Sequence, residues 1–142
     1  QTTEDQGQIQ MAELNCIVVT PEKTALEAKA EFVAMPLYDG EIGILPGHSP
    51  MIGRLGYGEM RIRAGGKETR YYVDGGFVQV ADNVVSILTN RAVLGTSLDV
   101  EAARGQLAAA TKRPATTDEE LQLRDRLVIQ ARAQIRLAER SK

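Results

Sequence analysis

From residue 14 to about residue 95 the apolar positions fall in short runs, several alternating with polar ones, and each run stops at a turn residue. This period of two, interrupted every few residues, predicts antiparallel strands rather than helices. Residues 14–20 run to Pro21 and residues 31–35 to Pro36, where a missing N–H cannot continue a ladder, so a strand is expected to end at each. Residues 59–64 and 68–73 flank Gly65-Gly66, a pair suited to the positive φ of a tight turn, and predict a hairpin. Residues 76–81 and 84–89 flank Asp82-Asn83, which tolerates left-handed backbone, and predict a second. Gly75-Gly76 falls between two runs and reads as a bulge or a close backbone approach. About ten short strands are expected, arranged as a sandwich or barrel.

After Gly95 the period changes. Ala, Leu, Gln, Glu and Arg dominate, residues that lose little entropy in a helix. Ser97 or Asp99 caps a first expected helix, with Val100, Ala103, Leu107 and Ala110 on one face and Pro114 beyond its end. Thr117 and Glu120 have the spacing of a capping box and open a second helix, whose stripe of Leu121, Val128, Ala131, Ile135 and Ala138 is expected to pack on the first. The predicted fold class is therefore α+β: a ten-stranded antiparallel β-sandwich over residues 11–96, then a two-helix antiparallel hairpin over 97–142. Alanine-rich packing buries little area, so the hairpin is expected to be able to detach. Residues 1–10 are polar and acidic and read as a disordered leader rather than an export signal.

Composition narrows the function classes. In 142 residues the chain has room for one domain and a small appendage, and no apolar run approaches the roughly 18 residues needed to cross a bilayer. A net charge of -2 gives no general reason to expect nucleic acid as a partner. The charge is uneven, however: the first 98 residues hold 8 basic and 12 acidic side chains, the last 44 hold 9 and 7. Arg124, Arg126, Arg132, Arg136 and Arg140 crowd the second helix. Like charges at this spacing repel, and the stripe reads either as a solvated face or as a contact for an acidic partner.

Candidate chemistry is sparse. Cys16 is the only cysteine and His48 the only histidine, which excludes an internal disulfide and a two-histidine metal site within one chain. A reducing compartment fits. Cys16 lies in an apolar strand, where a buried inert thiol is expected. Gly66-Lys67 is followed by Glu68 and lacks the upstream glycine of a phosphate loop. The six Phe and Tyr side chains are expected to be mostly core. No catalytic residue, metal or cofactor is indicated.

Residues 40–50, Gly-Glu-Ile-Gly-Ile-Leu-Pro-Gly-His-Ser-Pro, resemble the signature loop of the epsilon subunits of rotary F-type ATP synthases. Residues 14–21, 60–63, 75–80 and 83–88 support the resemblance in order along the chain. It implies a non-catalytic central-stalk subunit on the cytoplasmic side of a bacterial inner membrane, held there through its complex. The implied partners are the gamma subunit and the c-subunit ring, with the alpha/beta hexamer met by the C-terminal helices, which would restrain ATP hydrolysis. Glu41 then matches a position near the ring, Ile42 lies beside it, and His48 matches one near gamma. Some members also bind ATP at the start of the first helix. Here Leu98, Asp99 and Ala103 match that motif, but Ala102 stands where its arginine belongs and Arg104 lies about 200° round the helix from there. The alternatives are a free-standing β-sandwich binding module with a helical tail, and a hydrolase using His48.

Overall fold

The computed structural model describes residues 13–141; the leader expected over 1–10 lies outside them. Eight strands run in the order β1 (Leu14–Val19), β2 (Thr24–Ala30), β3 (Phe32–Leu37), β4 (Gly40–Ile44), β5 (Met51–Ala64), β6 (Lys67–Ala81), β7 (Val84–Leu88) and β8 (Ala92–Leu94). They pair in the order β2-β1-β7-β6-β5-β3-β4, with β8 added to β6. A 3-10 turn, Gly95–Ser97, leads to α1 (Val100–Lys112) and α2 (Asp118–Arg140).

The sandwich forms because β5 and β6, with 14 and 15 residues, serve both of its layers. Side chains alternate faces along a strand, so buried positions of one strand should share a parity. In β5 the core residues are Leu55, then Met60 and Ile62; in β6 they are Val73, then Val78 and Val80. Parity switches in each strand, which therefore turns over between its halves. Counted by halves, the eight strands give the ten expected segments. The core lies between the layers and is built of Leu14, Val18, Val33, Met35, Ile44, Met60, Val78, Val85 and Ile87 among others.

Both predicted hairpins are present, with positive φ at Gly65 and Gly66 and at Asp82 and Asn83. Three expectations need correction. The sheet is not wholly antiparallel, because β1 pairs with β7 in parallel from Asn15↔Val84 to Val19↔Leu88. This lets the first strand close the sheet beside a late one. Pro36 does not end β3. It pairs with Glu41 in the β3–β4 ladder and sits where the β3–β5 register shifts between Ala34 and Leu37, so its missing N–H falls at an irregularity. Finally, the runs 68–73 and 76–81 are not separate strands but one, with constant register against β5, so of the two readings of Gly75-Gly76 the bulge falls and the close approach holds. A Cβ on Gly76 would overlap the Leu88 carbonyl oxygen, and φ there is +106°.

At this crossing the β6–β7 and β6–β8 ladders are interrupted, and side chains take over. The Asp74 N–H donates to Thr89 Oγ1 at 2.9 Å, and Asn90 Nδ2 donates to the Asp74 carbonyl at 3.2 Å. Thr89 is accordingly buried although polar. Cys16 is wholly buried in the core, and desolvation pushes its thiol up to about 12. The unfolded thiol ionises near pH 8.5, so this group subtracts stability as pH rises from there.

Candidate functional site

The helices carry the expected caps. Asp99 accepts hydrogen bonds from the Glu101 and Ala102 N–H groups at 3.0 and 3.1 Å and caps α1. Thr117 and Glu120 complete the capping box on α2, and hydrogen bonds from Thr116 and Thr117 hold the Glu120 carboxyl below its ordinary pKa. Arg104 of α1 bridges to Glu139 of α2 at 2.9 Å, fixing the two helices in register.

The helical pattern in the sequence concealed a second buried face. Ala131 and Ala138 are buried as expected, but Leu121 is 41% exposed, and Ala133, Gln134 and Leu137 are buried as well. Ala133 and Leu137 pack on Tyr72 of β6, with Leu98 at the edge of the cluster. The Tyr72 hydroxyl donates to Asp74 Oδ1 at 2.8 Å, and Gln130 of α2 donates to the same oxygen at 2.8 Å. Burial, then the Asp74 charge, pushes Tyr72 well above the usual tyrosine range. The hairpin thus lies docked on the sandwich through one aromatic ring and one shared carboxylate. A motif scan could not find this face, because alanines at 131 and 133 carry no directional signal.

A second set of charges joins the same elements. Glu59 of β5, with a side chain 10% exposed, accepts from Arg140 of α2 at 2.9 Å and from Arg61 at 3.3 Å. Its other oxygen is 3.3 Å from Arg70 Nε, close enough for an ion pair although the angle is not that of a hydrogen bond. Arg61 also reaches Glu41 of β4, through Nη1 at 3.1 Å and Nη2 at 3.4 Å. Glu41 is therefore exposed but engaged, and its hydrogen bond is the leading reason that Arg61 is held above its ordinary pKa.

The remaining predicted residues separate. Ile42 packs on the core from β4. His48 lies on the loop after β4, its Nδ1 2.7 Å from the Ser49 carbonyl oxygen, and the loop is tied down by the Gly47 N–H donating to Asn83 Oδ1 at 2.7 Å. Arg126, Arg132 and Arg136 are exposed and Arg124 half-buried; no ion pair is formed by these four among the described residues. Arg140 alone of the five is paired. Leu98, Asp99 and Ala103 all have structural duties, as packing partner, helix cap and buried face of α1.

The most conspicuous surface was not read from the sequence. Arg54, Phe77, Leu88 and Val19 stand opposite one another across β5, β6, β7 and β1, with Ile52 two residues along the same face. Phe77 is 58%, Leu88 54% and Ile52 75% exposed. Tyr38, also exposed, carries the Arg54 guanidinium 4.1 Å above its ring. Tyr38, Arg54, Phe77 and Leu88 border a concavity of about 650 Å³ that Val19, Pro21, Tyr57 and Asn90 help to line. The six aromatics are expected to be mostly core, but only Tyr72 is fully buried; Phe32, Tyr57 and Tyr71 are half-buried, and Tyr38 and Phe77 are exposed. Tyr38 lies in the turn after β3, whereas the run of Phe77 alternates as a buried strand does, and sequence alone does not say which of its faces meets water.

Residues 13–95 match the family described as ATP synthase, delta/epsilon chain, beta-sandwich domain. The chain belongs to this family. An ATP synthase epsilon chain of Rhodopirellula baltica is 49% identical over 123 residues, covering 87% of this chain and 96% of the relative. One from a Synechococcus strain is 41% identical over 124 residues, covering 86% and 90%. Among solved structures, a chain of the Euglena gracilis mitochondrial ATP synthase aligns with a TM-score of 0.70 and 26% identity, over 90% of this chain and 78% of that one. A chain of the Tetrahymena thermophila central stalk and c-ring aligns at 0.67 with 16% identity, which shows a shared fold. Like other epsilon chains, this one is a non-catalytic subunit of ATP synthase. Within the family, the sandwich followed by two helices is the architecture that the residue pattern predicted.

Proposed function

We propose that the chain is a rotor part that joins the gamma subunit to the c-subunit ring, on the cytoplasmic side of a bacterial inner membrane. No described helix is long and apolar enough to cross a membrane, so attachment would come through these partners. The observation that carries the reading is the exposed row of Ile52, Phe77 and Leu88. An apolar surface of this kind, concave and bordered by polar groups, marks a protein contact. It continues along the start of β5 into the loop of His48, which this reading sets against gamma. We assign gamma to this face. Phe77→Asp with Leu88→Asp should leave the circular dichroism spectrum intact and weaken binding to the gamma subunit at least about a hundredfold, since central aromatic anchors dominate interfaces. Unchanged affinity would remove the assignment.

Glu41, at the far side of β4, is assigned to the polar loops of the ring. Glu41→Lys should weaken ring binding several-fold at low salt, with the difference shrinking as salt is added. An equal loss at every ionic strength would argue against a charge contact. For the C-terminal helix, Arg124, Arg126, Arg132 and Arg136 are available to an acidic segment of the alpha/beta hexamer without breaking an ion pair, whereas Arg140 must first leave Glu59. Use of Arg140 in restraining ATP hydrolysis therefore requires the end of α2 to leave Glu59.

A further inference from the structure

Glu41 and the docked end of α2 contact each other's partners through one side chain. Arg61 Nη1 is 3.1 Å from Glu41 and 3.3 Å from Glu59, and Glu59 holds Arg140 at 2.9 Å. The same cluster contains Arg63, which reaches Glu68 at 3.7 Å, and Arg70, which reaches Glu68 and Glu59 at 3.3 Å. It thus holds four arginines and three glutamates. We infer that Arg61 is a shared cation through which the state of the Glu41 carboxylate sets how firmly Arg140, and with it α2, is held to the sandwich.

The sign follows from charge. While Glu41 is free it draws Arg61 outward and lowers the excess of positive charge around Glu59. When a partner cation occupies Glu41, Arg61 shifts its hydrogen bonding onto Glu59, the carboxylate that Arg140 also uses. Arg61 and Arg140 already share Glu59 Oε1, so the competition between these two guanidiniums sharpens, and the nearby excess charge rises by one. Arg140 is the competitor on a separate element, so it is the one that is expelled. Engagement at β4 therefore loosens α2, and a tightly docked α2 favours a Glu41 left to Arg61. These groups are partly exposed, so the effect is a modest shift of population rather than an all-or-none switch.

The experiment uses the full chain with Ala133→Cys as reporter. Ala133 is 4% exposed on the face of α2 that packs on Tyr72, so a cysteine there reacts with an alkylating reagent only when the helix lifts, while Cys16 stays buried in the core. Glu41→Gln should accelerate labelling about two- to fivefold, the range open to a partly screened ion pair. In the Arg61→Gln background the same Glu41→Gln exchange should change nothing, and Arg63→Gln should be neutral throughout. Arg61→Lys, whose single ammonium cannot span both carboxylates, serves the same arm if Arg61→Gln folds poorly. An unchanged rate on Glu41→Gln, or equal acceleration with and without Arg61, would overturn the coupling. Its use in a complex rests on Glu41 being a partner contact, but the labelling is done on the isolated chain. Failure here leaves ring binding untouched, and failure of Glu41→Lys to affect ring binding leaves the labelling result standing.

Discussion

Replacing Gly76 by alanine should destabilise the sandwich by more than about 4 kcal/mol and lower its melting temperature by roughly 10 to 20 °C. Two costs add. The residue has φ +106°, a region that L side chains rarely enter, and strain of this kind costs about 1 to 3 kcal/mol. The new methyl would also overlap the Leu88 carbonyl oxygen, which is backbone and cannot rotate away as a side chain would. Relief requires β6 and β7 to part at the point where β6 changes layers, so Thr89 and Asn90 lose their hold on Asp74 too. Gly65→Ala is the control, because its φ is also positive but its Cβ would meet open space. Urea unfolding of both variants checks this, and a Gly76→Ala chain no less stable than Gly65→Ala would show that β6 accommodates the methyl.

Leu137→Asp should release α2 from the sandwich while the sandwich stays folded. Leu137 is 1% exposed against Tyr72, and an unpaired carboxylate there costs about 3 to 5 kcal/mol, more than a contact of a few alanines and one leucine can absorb. The main core does not include Leu137, so its packing survives. Tyr72 reports the outcome. Docked, it keeps its proton well above the usual tyrosine range; released, it returns toward the value near 10 of a free side chain. Asp74 stays beside it on β6, so the fall is partial: a spectrophotometric titration should find one tyrosine ionising at lower pH in the variant than in the unaltered chain. Linkage gives a companion effect in the unaltered chain. The docked form keeps a proton that the released form gives up, so docking weakens as pH rises above about 10. A Tyr72 that still resists ionisation in Leu137→Asp would mean that α2 does not depend on this contact.

How far the sequence disclosed this molecule depends on the kind of information each element needed. Turns were legible because Gly65-Gly66 and Asp82-Asn83 carry their backbone geometry in their chemistry. The capping box was legible because its two residues act on each other across three positions. Pro36 misled, since whether its missing N–H matters depends on a register that no local window contains. The docking of α2 was hidden for a related reason: alanines suit both a helix–helix contact and a helix–sheet contact, and only Tyr72 across the chain decides. Glu41 and His48 stood out through the family resemblance, yet neither their spacing nor their chemistry shows that Glu41 shares Arg61 with Glu59. The outward row of Phe77 and Leu88 was missed because alternation defines two faces of a strand without saying which one is wet.

The parallel pairing of β1 with β7 has a consequence for how the chain is made. Asn15 has to wait for Val84, and Val19 for Leu88, about seventy residues downstream in each case. On a growing chain the central hairpin of β5 and β6 has its partners early, whereas the first strand emerges long before its ladder on that side exists. Until Val84–Leu88 has been synthesised, β1 can form a ladder only with β2, a strand built from Thr, Ala, Leu, Glu and Lys. The sandwich therefore closes late in synthesis, just before the helices that dock on it begin.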